Sequence, residues 1–139
     1  MRLTDKLIDV EVFKESDFEE YSKWVKSQGH IVPEFDYLPS GYNVYVNGKK
    51  IVSGFVYMDL VSDSAFIEWI YFNPEAKASD KYVAVDVLIK SLKDFAILNG
   101  KRFITAGSNC SGIIKRFKKN GFTEILKNAT HLALKIVGV

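Results

Sequence analysis

The stretch YNVYVNGKKIVSGFVYM (42–58) places Asn47-Gly48 between two runs rich in β-branched and aromatic residues. A two-residue hairpin turn needs positive φ at both central positions. Asn and Gly tolerate that at little cost, so the pair commits the segment to two antiparallel strands. Directly after a second turn at SDS (62–64), the run AFIEWIYF (65–72) is apolar at nearly every position. Such a run predicts a strand covered on both faces. A sheet therefore lies at the centre of the chain, and the remaining segments must cover it.

The flanking segments do so by period. LIDVEVF (7–13) alternates and predicts a first strand. ESDFEEYSKWVKSQG (15–29) carries Phe18, Tyr21, Trp24 and Val25 at helical spacing, with Ser16 or Asp17 as N-cap and Gly29 as the stop. Residues 30–41 contain Pro33, Pro39 and Gly41 and predict a loop. Lys81 to Asn99 predicts a long helix whose inner face is Val85, Leu88, Ile89, Leu92 and Phe95, closed by Gly100. KRFITAG predicts a fifth strand, residues 111–120 a third helix, and FTEIL with ATHLALKIV two last strands about Lys127-Asn128. The expectation is one domain over residues 1–139, mixed α+β, with a mostly antiparallel mixed sheet of about seven strands flanked by helices.

Composition narrows the function classes. With 47% hydrophobic and 14% aromatic residues, the 139-residue chain can bury a core and is not a disordered one. No apolar run approaches the ~18 residues that span a bilayer, and the N-terminus is too charged for a secretory leader. A cytoplasmic protein is expected. Cys110 is alone, which excludes an internal disulfide. His30 and His131 are separated and lack acidic companions, so no metal site is expected. Charge is uneven. Residues 101–139 hold eight Lys/Arg against the single acid Glu124, whereas residues 1–100 hold eleven against sixteen. Such a basic third meets an anion or is simply solvated. Its centre is Lys115, Arg116, Lys118 and Lys119, a nucleic-acid surface if the cations are the point of that helix. Ile113, Ile114, Phe117 and Gly121 hold the positions with strict structural meaning, and the cations fill the rest.

The order of elements, with SNCSGIIKRFKKNGFTEI (108–125) and IEWIYFNPEAK (67–77) at its joints, resembles the GNAT superfamily of acetyl-CoA-dependent N-acyltransferases. It also resembles small GNAT-like proteins of tailed phages. The resemblance covers residues about 42–137. It implies acetyl-CoA as co-substrate and a small-molecule or protein amine as acceptor. It further implies a fourth and fifth strand that diverge, so that main-chain groups of Tyr71 and Phe72 grip pantetheine. Residues Lys81, Tyr82, Val83 and Ala84 would then meet the pyrophosphate at a helix start, where free amides and the helix dipole favour an anion. Asn109 would flank the thioester, and Glu68 on the fourth strand would be the general base. Two residues depart from the pattern. Asp86, with Asp80 nearby, places a carboxylate where the family has a small residue beside the pyrophosphate. Phe117 stands where many members carry a Tyr that protonates the leaving thiolate. The alternative expectation is a GNAT-shaped binding or structural protein that has lost the coenzyme.

Overall fold

A computed structural model describes residues 6–108, 110–127 and 132–134. Five strands form one sheet in chain order: β1 (Ile8–Val12), β2 (Ser40–Val46), β3 (Lys49–Met58), β4 (Ser64–Phe72) and β5 (Phe103–Ala106). The first four are antiparallel neighbours, and β5 runs parallel to β4. The central hairpin forms as its turn chemistry requires. Asn47 and Gly48 have φ of 50° and 81°, and Val46 pairs with Lys49. The tip is tied to the start of β1, with the Leu7 amide donating to Asn47 Oδ1 at 2.9 Å.

Helices cover the two faces separately. On one face lies α2 (Ala78–Leu98), burying Ala84, Val85, Leu88, Ile89, Leu92 and Ala96 against Val44, Val52, Val56, Ala65 and Ile67. The inner face expected from periodicity is borne out, with Phe95 packed at its margin against Tyr42. Beside it, α3 (Ser111–Lys119) inserts Ile113 and Phe117 into the same core. On the other face α1 (Phe18–Ser27) packs Tyr21, Trp24 and Val25 against Phe13 and Phe55. Asp17 does not cap the helix with its side chain. Its carboxylate instead accepts from the Lys14 amide (2.9 Å), Asn43 Nδ2 (3.0 Å) and Lys50 Nζ (2.8 Å), which fastens the start of α1 to the hairpin.

Three expectations are corrected. Among the described residues the sheet has five strands, where about seven were expected. Residues 122–126 form no strand, and Ile125 and Leu126 are exposed. The last predicted strand falls largely outside the described residues, with Leu132–Leu134 non-strand and exposed. Helix α2 begins at Ala78, three residues before Lys81, because Asn73 and its side chain close the turn ahead of it: the Ala76 amide donates to Asn73 O and the Glu75 amide to Asn73 Oδ1. Finally, β4 is not buried on both faces. Only Ala65 and Ile67 are buried, since α1 reaches no farther across that face than the end of the strand.

Candidate functional site

Strands β4 and β5 pair over four rungs, Ser64 with Phe103 through Ile67 with Ala106. There the ladder ends. Among the described residues no strand pairs with this edge of Glu68–Phe72, although β4 continues for five residues. The parting coincides with a bulge. Phe55 opposes Glu68 and Ser53 opposes Tyr71, so Trp69 and Ile70 together face Gly54. Trp69 lies at φ 63°, in the left-handed region that a bulky residue rarely occupies. An extra residue bends the strand and increases its twist.

Chemistry-bearing residues gather on the α1 face of this strand. Glu68 is opposite Phe55, which belongs to the α1 cluster, so its carboxylate stands on that face, half-buried. Tyr57 lies beside it. Its hydroxyl accepts from Trp69 Nε1 at 2.8 Å and donates to the Tyr37 carbonyl at 3.2 Å. Burial raises the Tyr57 hydroxyl above the ordinary phenol range; the indole hydrogen bond lowers it and the Glu68 charge raises it further. Tyr71, the residue that follows the bulge, shares a 2.6 Å hydrogen bond with His30 Nδ1. Burial pushes its hydroxyl up as well. Neither Tyr57 nor His30 was singled out as functional by the sequence. The His30–Tyr71 pair is separated by 41 positions, and no local signal announces it.

At the exit of β4 the structure rearranges the predicted anion site. The first turn of α2 is Ala78–Asp80; the Asp80 amide donates to Lys77 O at 3.1 Å, so the amides without an intrahelical partner are those of Ala78 and Ser79. The Lys81 amide already donates to Lys77 O at 3.0 Å. Lys81, Tyr82, Val83 and Ala84 are thus inside the helix. Lys81 Nζ lies 5.7 Å from the Phe72 ring centroid, over the end of β4. Tyr82 is exposed, while Val83 is half-buried and Ala84 is core. The two unfavourable carboxylates are both neutralised. Lys6 Nζ holds Asp80 at 2.7 Å, and Arg116 Nη1 holds Asp86 at 3.2 Å. Asp86 sits two turns from the helix start and serves as a link between α2 and α3.

That link borders a recess of about 490 Å³ lined by Tyr82, Ser111, Gly112, Lys115, Arg116 and Lys119. The Arg116 guanidinium lies 4.5 Å from the Tyr82 ring centroid. Lys118 turns instead toward Glu124, 3.8 Å away. The four cations are therefore not one continuous patch. Phe117 is 6% exposed and packs edge-on against Phe122, 5.0 Å between centroids, as a core residue. Asn109 lies outside the described residues, as does His131. Cys110, exposed, takes the N-cap position of α3 and contributes no side-chain cap. None of the described helices is long and apolar enough to cross a membrane.

No family profile matches the chain, and no curated protein matches it in sequence. Solved structures do match it in three dimensions. An acetyltransferase from Trypanosoma brucei superposes with a TM-score of 0.66 at 14% identity, covering 92% of this chain and 100% of that one. The chain has the GNAT fold. The aminoglycoside N-acetyltransferase AAC(6')-Iy, solved in complex with CoA, gives 0.61 at 16% identity over 96% of this chain and 99% of its own. A GNAT-family acetyltransferase from Novosphingobium aromaticivorans gives 0.62 at 14% identity over 81% of this chain, which spans half the length of that protein. Within the GNAT fold, the parting of β4 from β5 and the start of α2 lie in succession along the chain, at residues 68–72 and 78–81.

Proposed function

We propose that the protein is an acetyl-CoA-dependent N-acyltransferase acting on an amine. The observation that carries this reading is the unpaired edge of Glu68–Phe72 beyond the last β4–β5 rung. Strand edges without a partner bind extended polar chains by main-chain hydrogen bonds, and a pantetheine arm carries amides at suitable intervals. The residues present fit such a carrier. Alternate residues along 68–72, with Tyr71 and Phe72 at the far end, turn amide and carbonyl groups outward. The helix start at Ala78 and the Lys81 side chain favour a pyrophosphate. The recess with Lys115, Arg116 and Lys119 supplies charge for a further phosphate, and Tyr82 a ring for a base. Residues 77–99 contain no glycine, so the anion would be met by the first-turn amides and by Lys81 rather than by a glycine loop.

When bound, acetyl-CoA supplies an activated acetyl thioester. Glu68 takes the proton that the acceptor ammonium must lose before its nitrogen can attack. The new C–N bond forms as the C–S bond breaks, and the released thiolate takes a proton from water, since Phe117 has none to give. Glu68→Gln should lower kcat/KM by about 10²-fold or more, in the range general-base removal produces, while leaving acetyl-CoA binding intact. Wild-type protein that shows no rise in melting temperature with millimolar acetyl-CoA would refute the reading. A second reading, a GNAT-shaped module without the coenzyme, is favoured by Phe117 in the core and by the glycine-free helix start; it predicts that null result.

A further inference from the structure

Trp69 and the hairpin's Asn47 are the described non-glycine residues with positive φ. Asn47 needs no explanation, because the turn chemistry demands it. Trp69 does. A large aromatic residue in the left-handed region of a strand is strained and persists only where its surroundings over-determine it.

Two tyrosines hold it, one at its main chain and one at its indole. Tyr21 Oη on α1 donates to the Trp69 carbonyl at 2.6 Å, and Trp69 Nε1 donates to Tyr57 Oη at 2.8 Å. Tyr57 in turn donates to the Tyr37 carbonyl. Tyr21 is 1% exposed, and its ring is boxed edge-on by Phe13, Phe55 and Tyr71 at 5.4, 5.4 and 5.9 Å. A phenylalanine would fill that box equally well. The hydroxyl adds only the bond to Trp69, and a buried donor without a partner would be costly. Opposite the bulge, Gly54 leaves room for α2, since a Cβ there would lie 2.9 Å from both Ile70 Cγ1 and Leu88 Cδ2. The bulge begins two residues after the last β4–β5 rung, with Glu68 between them.

We infer that Tyr21 and Tyr57 are positioning residues: their hydrogen bonds to Trp69 hold the bulge that keeps β4 apart from β5, and so set the width of the notch. They touch no reacting atom and act through Trp69. The role of the notch in holding an acyl carrier rests on the function proposed above; the clamp itself does not.

Tyr21→Phe and Tyr57→Phe preserve the rings and remove one hydroxyl each, so both variants should fold. Hydrogen exchange read by mass spectrometry is expected to accelerate about tenfold over residues 68–72, the effect of losing one hydrogen bond, with α2 unchanged. The dissociation constant of acetyl-CoA should rise about tenfold in Tyr21→Phe, with kcat altered much less than KM. Unchanged exchange at 68–72, or equal acceleration throughout α2, overturns the clamp even where wild-type protein binds acetyl-CoA. Faster exchange with unchanged affinity in a protein that does bind it overturns the positioning role. Wild-type protein that binds no acetyl-CoA refutes the transferase reading instead, and the exchange data then decide the clamp alone.

Discussion

Replacing Gly41 by alanine should be more damaging than the same change at Gly54, and the structure says by how much. A Cβ at Gly41 would overlap the Phe55 ring at Cδ1 and lie 2.6 Å from both Phe55 Cε1 and the Gly54 carbonyl oxygen. Neither obstacle can retreat. The carbonyl is part of the β2–β3 ladder, and Phe55 is fully buried with Phe13 at 4.8 Å and Tyr21 at 5.4 Å between ring centroids. At Gly54 the obstacles are Ile70 Cγ1 and Leu88 Cδ2, both 2.9 Å away. These are aliphatic side-chain atoms, and Ile70 is only half-buried. Alanine recovers ~0.5–1 kcal/mol of backbone entropy at either site. Overpacking a tight interior costs ~1–3 kcal/mol, occasionally more. Gly41→Ala should therefore destabilise by about 3 kcal/mol and Gly54→Ala by about 1 kcal/mol. Urea titration followed by far-UV circular dichroism measures both, provided the m-value stays at the wild-type level. Equal losses, or a stabilised Gly41→Ala, would refute the placement of Phe55 against β2 and with it the packing beneath the bulge.

Other consequences are open to similar measurement. Burial alone would raise the Asp17 carboxyl, but bonds from Lys50, the Lys14 amide and Asn43 outweigh it and hold the group below the usual aspartate range. A depressed folded-state pKa gives stability that is present above the unfolded value and lost as pH falls through the folded one. Asp17→Asn should hence cost about 2 kcal/mol at pH 7, with the gap to wild type closing below about pH 4; a gap that is constant with pH in thermal melts would contradict the network. Lys115→Ala combined with Lys119→Ala should weaken acetyl-CoA binding several-fold at low salt and by less at high salt, with little effect on dephospho-CoA. Equal weakening for both ligands would place the terminal phosphate elsewhere. Phe117→Ala should lose ~3–5 kcal/mol as a core truncation, visible by chemical denaturation, whereas a loss of turnover in an undiminished fold would mean that the position acts in chemistry.

How legible the protein was depended on the distance over which each feature is determined. The hairpin at Asn47-Gly48, the helix stops at Gly29, Gly100 and Gly121 with their positive φ, and the inner face of α2 follow from neighbours a few residues away. The start of α2 was misjudged because the Asn73 turn that precedes it hides three helical residues behind Asn-Pro. The two last strands were expected from alternation alone. Alternation predicts an extended segment, but pairing needs a partner edge, and residues 122–126 have none among the described residues.

What the amino-acid order determined by itself is the inventory from β1 to α3: the strands and helices of that span, the apolar faces of α1, α2 and α3, and the family likeness carried by the joints. Tertiary structure alone decided the site. Whether Asp80 and Asp86 repel an anion depended on Lys6 and Arg116, 74 and 30 residues distant. The left-handed turn at Trp69 depended on Tyr21 and Tyr57. Charge neutralisation and strain are properties of groups brought together in space, and a backbone conformation that no local preference favours can persist only where distant side chains hold it.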